Sequence, residues 1–274
     1  MRLGLFALLT ICGFLIFALT MTFVPVLPVW ANYAARAGFL SIFGTLWWAA
    51  RDERPLSRFR PIFFAYFTAV LALSLGFFFA DRGLKLFGLT TQTPIGIAVA
   101  KFLQASLIVI GILAVARLCG EDFASLYIQK GRLILGLSVG LITAAALLVL
   151  SMFQPAVRAL GTARLMSLAP WILLFVVSNA FMEELLFRGL FLGRYEPLIG
   201  KWLAILSTAL AFTLAHMQVT YAPNLWGFLL VTFGFAIAWG WLMQKTESLW
   251  GSVMFHAGAD LLIILPVFSS LGAV

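Results

Sequence analysis

The feature that most restricts this chain is a series of unbroken apolar runs, each about 20 residues long. An α-helix rises about 1.5 Å per residue, so runs of that length cross a hydrocarbon core about 30 Å thick. Inside lipid every backbone N–H and C=O must be satisfied, which leaves helices and closed barrels. A barrel would alternate polar and apolar residues in strands of about ten, and these runs do not alternate. Nine segments carry the helical signal: 3–23, 31–50, 61–80, 95–117, 133–153, 168–187, 203–219, 225–243 and 249–268. The expected fold is an all-α polytopic membrane bundle of eight to nine transmembrane helices. The lower number applies if 31–50, interrupted early by Asn32 and Arg36, lies partly in the interface. The first run, with only Arg2 ahead of it, exceeds a signal-peptide core and is expected to stay in the mature protein.

Charge sharpens this picture. Charged residues make up 10% of the chain, against about 25% in soluble domains. The net charge of +8 would suggest nucleic acid in a soluble protein, but here the basic residues fall between the apolar runs. Arg51, Arg54, Arg58 and Arg60 follow the second run, and Arg117, Lys130 and Arg132 follow the fourth. Arg188, Arg194 and Lys201 follow the sixth, and Lys245 the eighth. The alternate loops hold Arg82, Lys85, Arg158 and Arg164. The positive-inside rule then places the N-terminus and the richer loops in the cytoplasm and removes nucleic acid as a partner. Trp47, Trp48, Trp202 and Trp250 sit near predicted helix ends, where an interfacial belt would put them. Cys12 and Cys119 give neither a disulfide framework nor a cysteine metal site.

No soluble domain, internal repeat or low-complexity tract interrupts the runs. The longest less apolar stretch, 118–132, contains "GEDFASLYIQKGR". It reads either as a short amphipathic helix on the cytoplasmic surface, through Phe123, Leu126 and Tyr127, or as a solvated linker.

An ionisable side chain inside a span is costly and marks function by default. Nearly all such residues lie in segments six to nine: Glu183, Glu184 and Arg188, then His216, then His256 and Asp260. The chain's two histidines are both in this set. At about 100° per residue, Glu184 and Arg188 share a helix face and can pair, whereas Glu183 shares one with Asn179 and Phe187. Phe212 and His216 are four apart, as are His256 and Asp260. Taken singly, the acidic group could snorkel at the interface, His216 could be a packing residue, and His256–Asp260 could be a plain hydrogen bond. A shared interior site satisfies all three groups at once. There, water held between Glu183 and His216 could attack a carbonyl, with His256 donating to the oxyanion. Zinc held by His216, His256 and a carboxylate is the alternative, although no H-E-x-x-H signals it. A transporter would also use interior carboxylates and histidines, but no repeat-related pair of broken helices is visible. Lys101 and Gln104 are further interior polar residues; Lys101 reads as snorkelling near its helix start, with lining of the cavity or countering of a carboxylate as the alternatives.

Together, Glu183-Glu184-x-x-x-Arg188, Phe212-x-x-x-His216 and His256-x-x-x-Asp260 resemble the signatures of the type II CAAX prenyl endopeptidase family, also called the CAAX protease and bacteriocin-processing family. Its pattern is E-E-x-x-x-R, F-x-x-x-H and H-x-x-x-N or D on successive transmembrane helices. The resemblance spans about 165–265, and the first hundred residues resemble nothing nameable. It implies a glutamic intramembrane peptidase without a cofactor or metal. Glu183 would activate water, His216 assist it, and His256 and Asp260 line the oxyanion side. Glu184, Arg188, Phe212 and Asn179 would shape the site. Asp260 stands where an amide could donate to the oxyanion, so it either donates when protonated or orients His256. The expected partners are the lipid bilayer and a membrane-anchored protein or peptide substrate, such as a C-terminal anchor, a prenylated tail or a bacteriocin-type peptide. A non-catalytic immunity or partner-binding protein on the same scaffold is the competing reading. The expected location is a bacterial or archaeal cytoplasmic membrane. Residues 1–132 form an unassigned N-terminal region and 133–274 the peptidase core. One conflict is visible: Glu183 precedes the 188–201 loop, toward the cytoplasmic half, whereas His216 nears the opposite end of its segment. Either segment seven is shifted, or a water-filled cavity reaches across.

Overall fold

A computed structural model describes residues 2–20, 27–51, 54–222 and 224–271, and all regular structure among them is helical. Helices α1 (Arg2–Thr20), α2 (Val29–Ala49) and the single-turn α3 (Arg54–Ser57) lead to the long α4 (Arg60–Leu86) and α5 (Pro94–Leu118). A 3-10 turn, Phe123–Leu126, precedes α6 (Leu133–Ser151) and the single-turn α7 (Pro155–Arg158). Then come α8 (Thr162–Glu184), a π-turn (Leu185–Gly189), α9 (Leu192–Ile199), α10 (Lys201–Ala215), α11 (Leu225–Thr246) and α12 (Leu249–Ser270).

Seven stretches among the described residues are long and apolar enough to cross a membrane: α1, α4, α5, α6, the run from α8 through α9, α11 and α12. The polytopic helical bundle is therefore present, and two expected spans differ from the rest. Segment 203–219 is the 15-residue α10, which starts earlier and leaves the helix at His216. Segment 31–50 is the full-length α2, outside the seven most apolar. Exposed Trp30 and Trp48 stand about 27 Å apart along it, the thickness of a hydrocarbon core. Residues 21–23, which end the first predicted segment, lie outside the described residues.

The polar start of α2 has a structural purpose. The last carbonyls of a helix lack intrahelical donors. Arg36 donates through Nη2 to the Thr20 carbonyl at 2.6 Å, and Asn32 through Nδ2 to that of Leu19 at 3.0 Å. Arg36 Nε also donates to Asn32 Oδ1 at 2.7 Å, and its guanidinium lies 4.1 Å from the Phe77 ring centroid. Both side chains are buried, so α2 closes the end of α1.

Small residues set the closest packing. α6 and α12 run parallel, with Gly136 against Gly251 and Ala144 against Gly258. A Cβ on Gly251 would stand 2.6 Å from the Gly136 carbonyl oxygen, so only glycine lets these backbones approach. α1 runs parallel to α10, with Thr10 Oγ1 donating to Ser207 Oγ at 2.9 Å and Gly13 beside Ala211. α8 packs between α5 and α12.

The molecule has a basic end, carrying the start of α1 and the α5–α6 and α11–α12 connections, and a far end, carrying the α4–α5 and α10–α11 connections. At the basic end, residues 118–132 form neither a free amphipathic helix nor a solvated linker. Leu126 is fully buried, and the Tyr127 carbonyl accepts from Leu249 N–H at 2.9 Å. Gln129 Nε2 donates to the Glu247 carbonyl, Ser248 Oγ to the Gln129 carbonyl, and Arg132 N–H to the Thr246 carbonyl. The segment is a strap tied across the α11–α12 turn. Burial pushes the Tyr127 phenol up to about 12, with Glu196 and Glu247 adding to the shift, so it stays neutral in the physiological range.

Candidate active site

α8 carries Glu183 and Glu184 at its end and passes directly into the π-turn, where Leu190 N–H donates to the Leu185 carbonyl five residues back at 3.0 Å. Such single π-turns inside helices recur at functional sites because they re-aim side chains. The i, i+4 pair expected from the sequence is present. Arg188 Nη1 lies 2.8 Å from Glu184 Oε1, and both side chains are wholly buried. Arg188 also sits over the Phe212 ring at 4.5 Å and beside Trp239 at 5.3 Å.

The same Glu184 oxygen accepts from His256 Nδ1 at 2.8 Å. Glu184 is thus both partner to Arg188 and anchor for His256, a link across 72 positions that helical spacing could not display. With Nδ1 committed to a carboxylate, His256 turns Nε2 toward Glu183 Oε2 at 3.5 Å and Asp260 Oδ1 at 3.6 Å. The His256–Asp260 separation is too long for a hydrogen bond; Asp260 instead accepts from Asn179 Nδ2 at 2.9 Å. The His256 ring lies flat against Trp239, centroids 3.9 Å apart and planes 8° apart, with Phe212 edge-on at 5.7 Å.

His216 is the C-cap of α10. Its Nδ1 donates to the Phe212 carbonyl at 2.8 Å and its ring packs on Phe212 at 4.5 Å. That bond assigns the proton to Nδ1 and leaves Nε2 as an acceptor. The depth conflict read from the sequence dissolves here. α10 is short, and the chain leaves helical geometry where it lines a cavity, a setting in which irregular backbone is tolerated at membrane depth.

That cavity encloses about 990 Å³. Glu183, His216, His256, Asp260, Asn179 and Phe212 all line it, while Glu184 and Arg188 sit just behind. The structure therefore brings together all eight residues singled out in the sequence. Lys101 and Gln104 are buried and also line it. Lining, rather than snorkelling, describes Lys101, and the cavity takes walls from α4 and α5 as well as from the C-terminal helices. Trp239 escaped the sequence reading because one tryptophan among nine, within an apolar run, gives no sign that it will meet a histidine on the next helix. Among the described residues, no group of three His, Cys, Asp or Glu side chains is arranged to hold a metal ion.

No curated protein and no solved structure matches this chain. Residues 165–262 match the family model described as Type II CAAX prenyl endopeptidase Rce1-like. All three motif groups fall inside that window, and the matched family is the one that these motifs resemble.

Proposed function

We propose that this integral membrane protein is a glutamic-type intramembrane peptidase that hydrolyses a peptide bond in a membrane-associated protein by direct attack of water. An Rce1-like domain implies a membrane peptidase in general; the mechanism proposed here goes further. The observation that carries it is the division of labour between neighbouring glutamates: Glu184 is occupied by Arg188 and His256, whereas Glu183 faces the cavity beside both histidines.

In this reading Glu183 takes the proton of a water that also donates to His216 Nε2. The hydroxide attacks the carbonyl carbon, and the oxyanion accepts from His256 Nε2–H. Collapse breaks the C–N bond, and the proton held by Glu183 passes to the leaving amine. His256 has carboxylate oxygens at both ring nitrogens and an indole against its face, an environment suited to an imidazolium. Asp260, held by Asn179 and 3.6 Å from His256 Nε2, then balances the charge of His256, whose orientation Glu184 fixes. Asn179 carries a second amide hydrogen beside the same cavity, besides the one given to Asp260.

The test uses purified protein in lipid nanodiscs with a solubilised membrane-protein fraction. Wild-type protein should generate new peptide termini that neither Glu183→Ala nor His216→Ala produces, and chelators should leave the activity unchanged. Cleavage that persists in either variant would sink the proposal. Stoichiometric zinc with chelator-sensitive cleavage would replace it with the metal-dependent version.

A further inference from the structure

The cavity has a direction. Its floor is Glu183, Phe212, Trp239 and His256. Its rim is formed by Asp81, Thr91, Thr220, Tyr221 and Gly227, all from the far end of the bundle. Among the described residues, none from 51–60, 118–132 or 189–200 lines it. Behind the floor the Glu184–Arg188 pair, Leu185 and Leu190 are fully buried, and the strap with buried Leu126 lies beyond them. The reacting groups therefore open away from the basic end and are closed toward it.

The basic end is also the charge-rich end. Arg58, Arg60, Arg117, Lys130, Arg132 and Lys245 all lie at or near it, while Arg82, Lys85, Arg158 and Arg164 lie toward the other. This asymmetry puts the basic end in the cytoplasm. Exposed Trp30 and Trp226 at the far end, against Trp48 and Trp202 at the basic end, mark two interfacial levels. The cavity mouth then faces the extracytoplasmic side.

Depth sets a second constraint. Gly227 at the rim and Trp239 at the floor lie on α11, about 18 Å apart at the helical rise. An extended chain covers about 3.3 Å per residue, so about five or six residues bridge rim and floor. The upper walls include Phe77, Leu84, Phe228, Val231 and Val267, which suit an apolar segment rather than a hydrated one.

We infer that the substrate is a membrane protein whose tail or juxtamembrane segment lies on the extracytoplasmic side, that this segment enters extended from the far end, and that the bond cut lies about five or six residues in from the rim. This rests on the peptidase reading above and adds to it the face and the reach of the substrate. A substrate presented from the cytoplasm would meet the sealed floor.

Two measurements decide it. In intact cells a membrane-impermeant maleimide should label Thr220→Cys or Thr91→Cys, both exposed at the rim. The native, exposed Cys119 at the basic end should react only after permeabilisation. Labelling of Cys119 in intact cells, with the rim cysteines silent, would overturn the inference. Separately, terminal-peptide mass spectrometry should compare cells expressing wild-type protein with cells expressing Glu183→Gln. Peptides lost in the variant should map to extracytoplasmic tails or outer ends of spans, and a tail cut to two residues should no longer be processed. Loss confined to cytoplasmic termini would overturn the inference while leaving the peptidase reading in place. Absence of any lost peptide would overturn that reading and this inference together.

Discussion

Glu184 Oε1 accepts from Arg188 and from His256, each at 2.8 Å, in a place with no access to water. Removing one member of a buried charged set leaves the rest uncompensated, typically at a cost of about 3–5 kcal/mol. Arg188→Ala should therefore lower thermal stability in detergent by an amount of that order. Glu184→Gln should lower stability too, and should also impair turnover because His256 loses the acceptor that fixes its Nδ1 proton. If both variants unfold at the wild-type temperature, the network has no structural role. Residues within one helical turn of each other were legible in advance: the i, i+4 rule separates Glu183 from Glu184 and pairs the latter with Arg188. The second bond of Glu184, the Asn179–Asp260 bond and the Trp239 stack join different helices. Such links depend on packing register, which a single sequence does not display.

At the level of elements, two departures from regular helix make the site. The π-turn follows Glu184 directly, and α10 stops at Ala215 so that His216 caps it at depth. Apolar runs reveal where helices lie but not where lipid-buried helices change pitch or stop, because "LLFRG" and "FTLAHM" stay mostly apolar across the change and carry no Pro or helix-ending Gly–polar turn signal at it. Hence the segments were found while segment seven came out too long. Element packing yields two further tests. Gly251→Leu forces a side chain into the Gly136 backbone; overpacking of this kind costs about 1–3 kcal/mol, so the melting temperature should fall, and an unchanged value would contradict the parallel α6–α12 contact. Arg36→Leu strips the Thr20 carbonyl of its donor. Leaving a buried polar group unpaired costs about 1–3 kcal/mol, and amide exchange at the end of α1 should rise if Arg36 holds it. Arg36 itself looked like an interruption of a span; its purpose became visible only with the end of α1 beside it.

The whole molecule is polarised. One end is basic, strapped and closed; the other opens into the cavity. Arg194 ties the strap to the π-turn: Nη2 meets Glu121 Oε2 at 2.7 Å, and Nη1 donates to the Leu190 carbonyl at 3.0 Å. Arg194→Ala should make residues 118–132 the first site of limited proteolysis, whereas protection equal to wild type would show that the strap holds without it. The sequence made the bundle, the basic end and the grouping of ionisable residues legible, since each follows from hydropathy and charge. The strap's docking rests on backbone hydrogen bonds between distant loops, which carry no side-chain signature. The central claim remains that Glu183 activates water while the rest of the network holds the fold. It is tested most directly by kcat of purified Glu183→Gln against wild-type protein on one identified substrate, with matched thermal unfolding. General-base catalysis contributes about 10²–10⁴-fold, so turnover should fall by that range at unchanged melting temperature. Wild-type kcat in a folded Glu183→Gln protein would contradict the account.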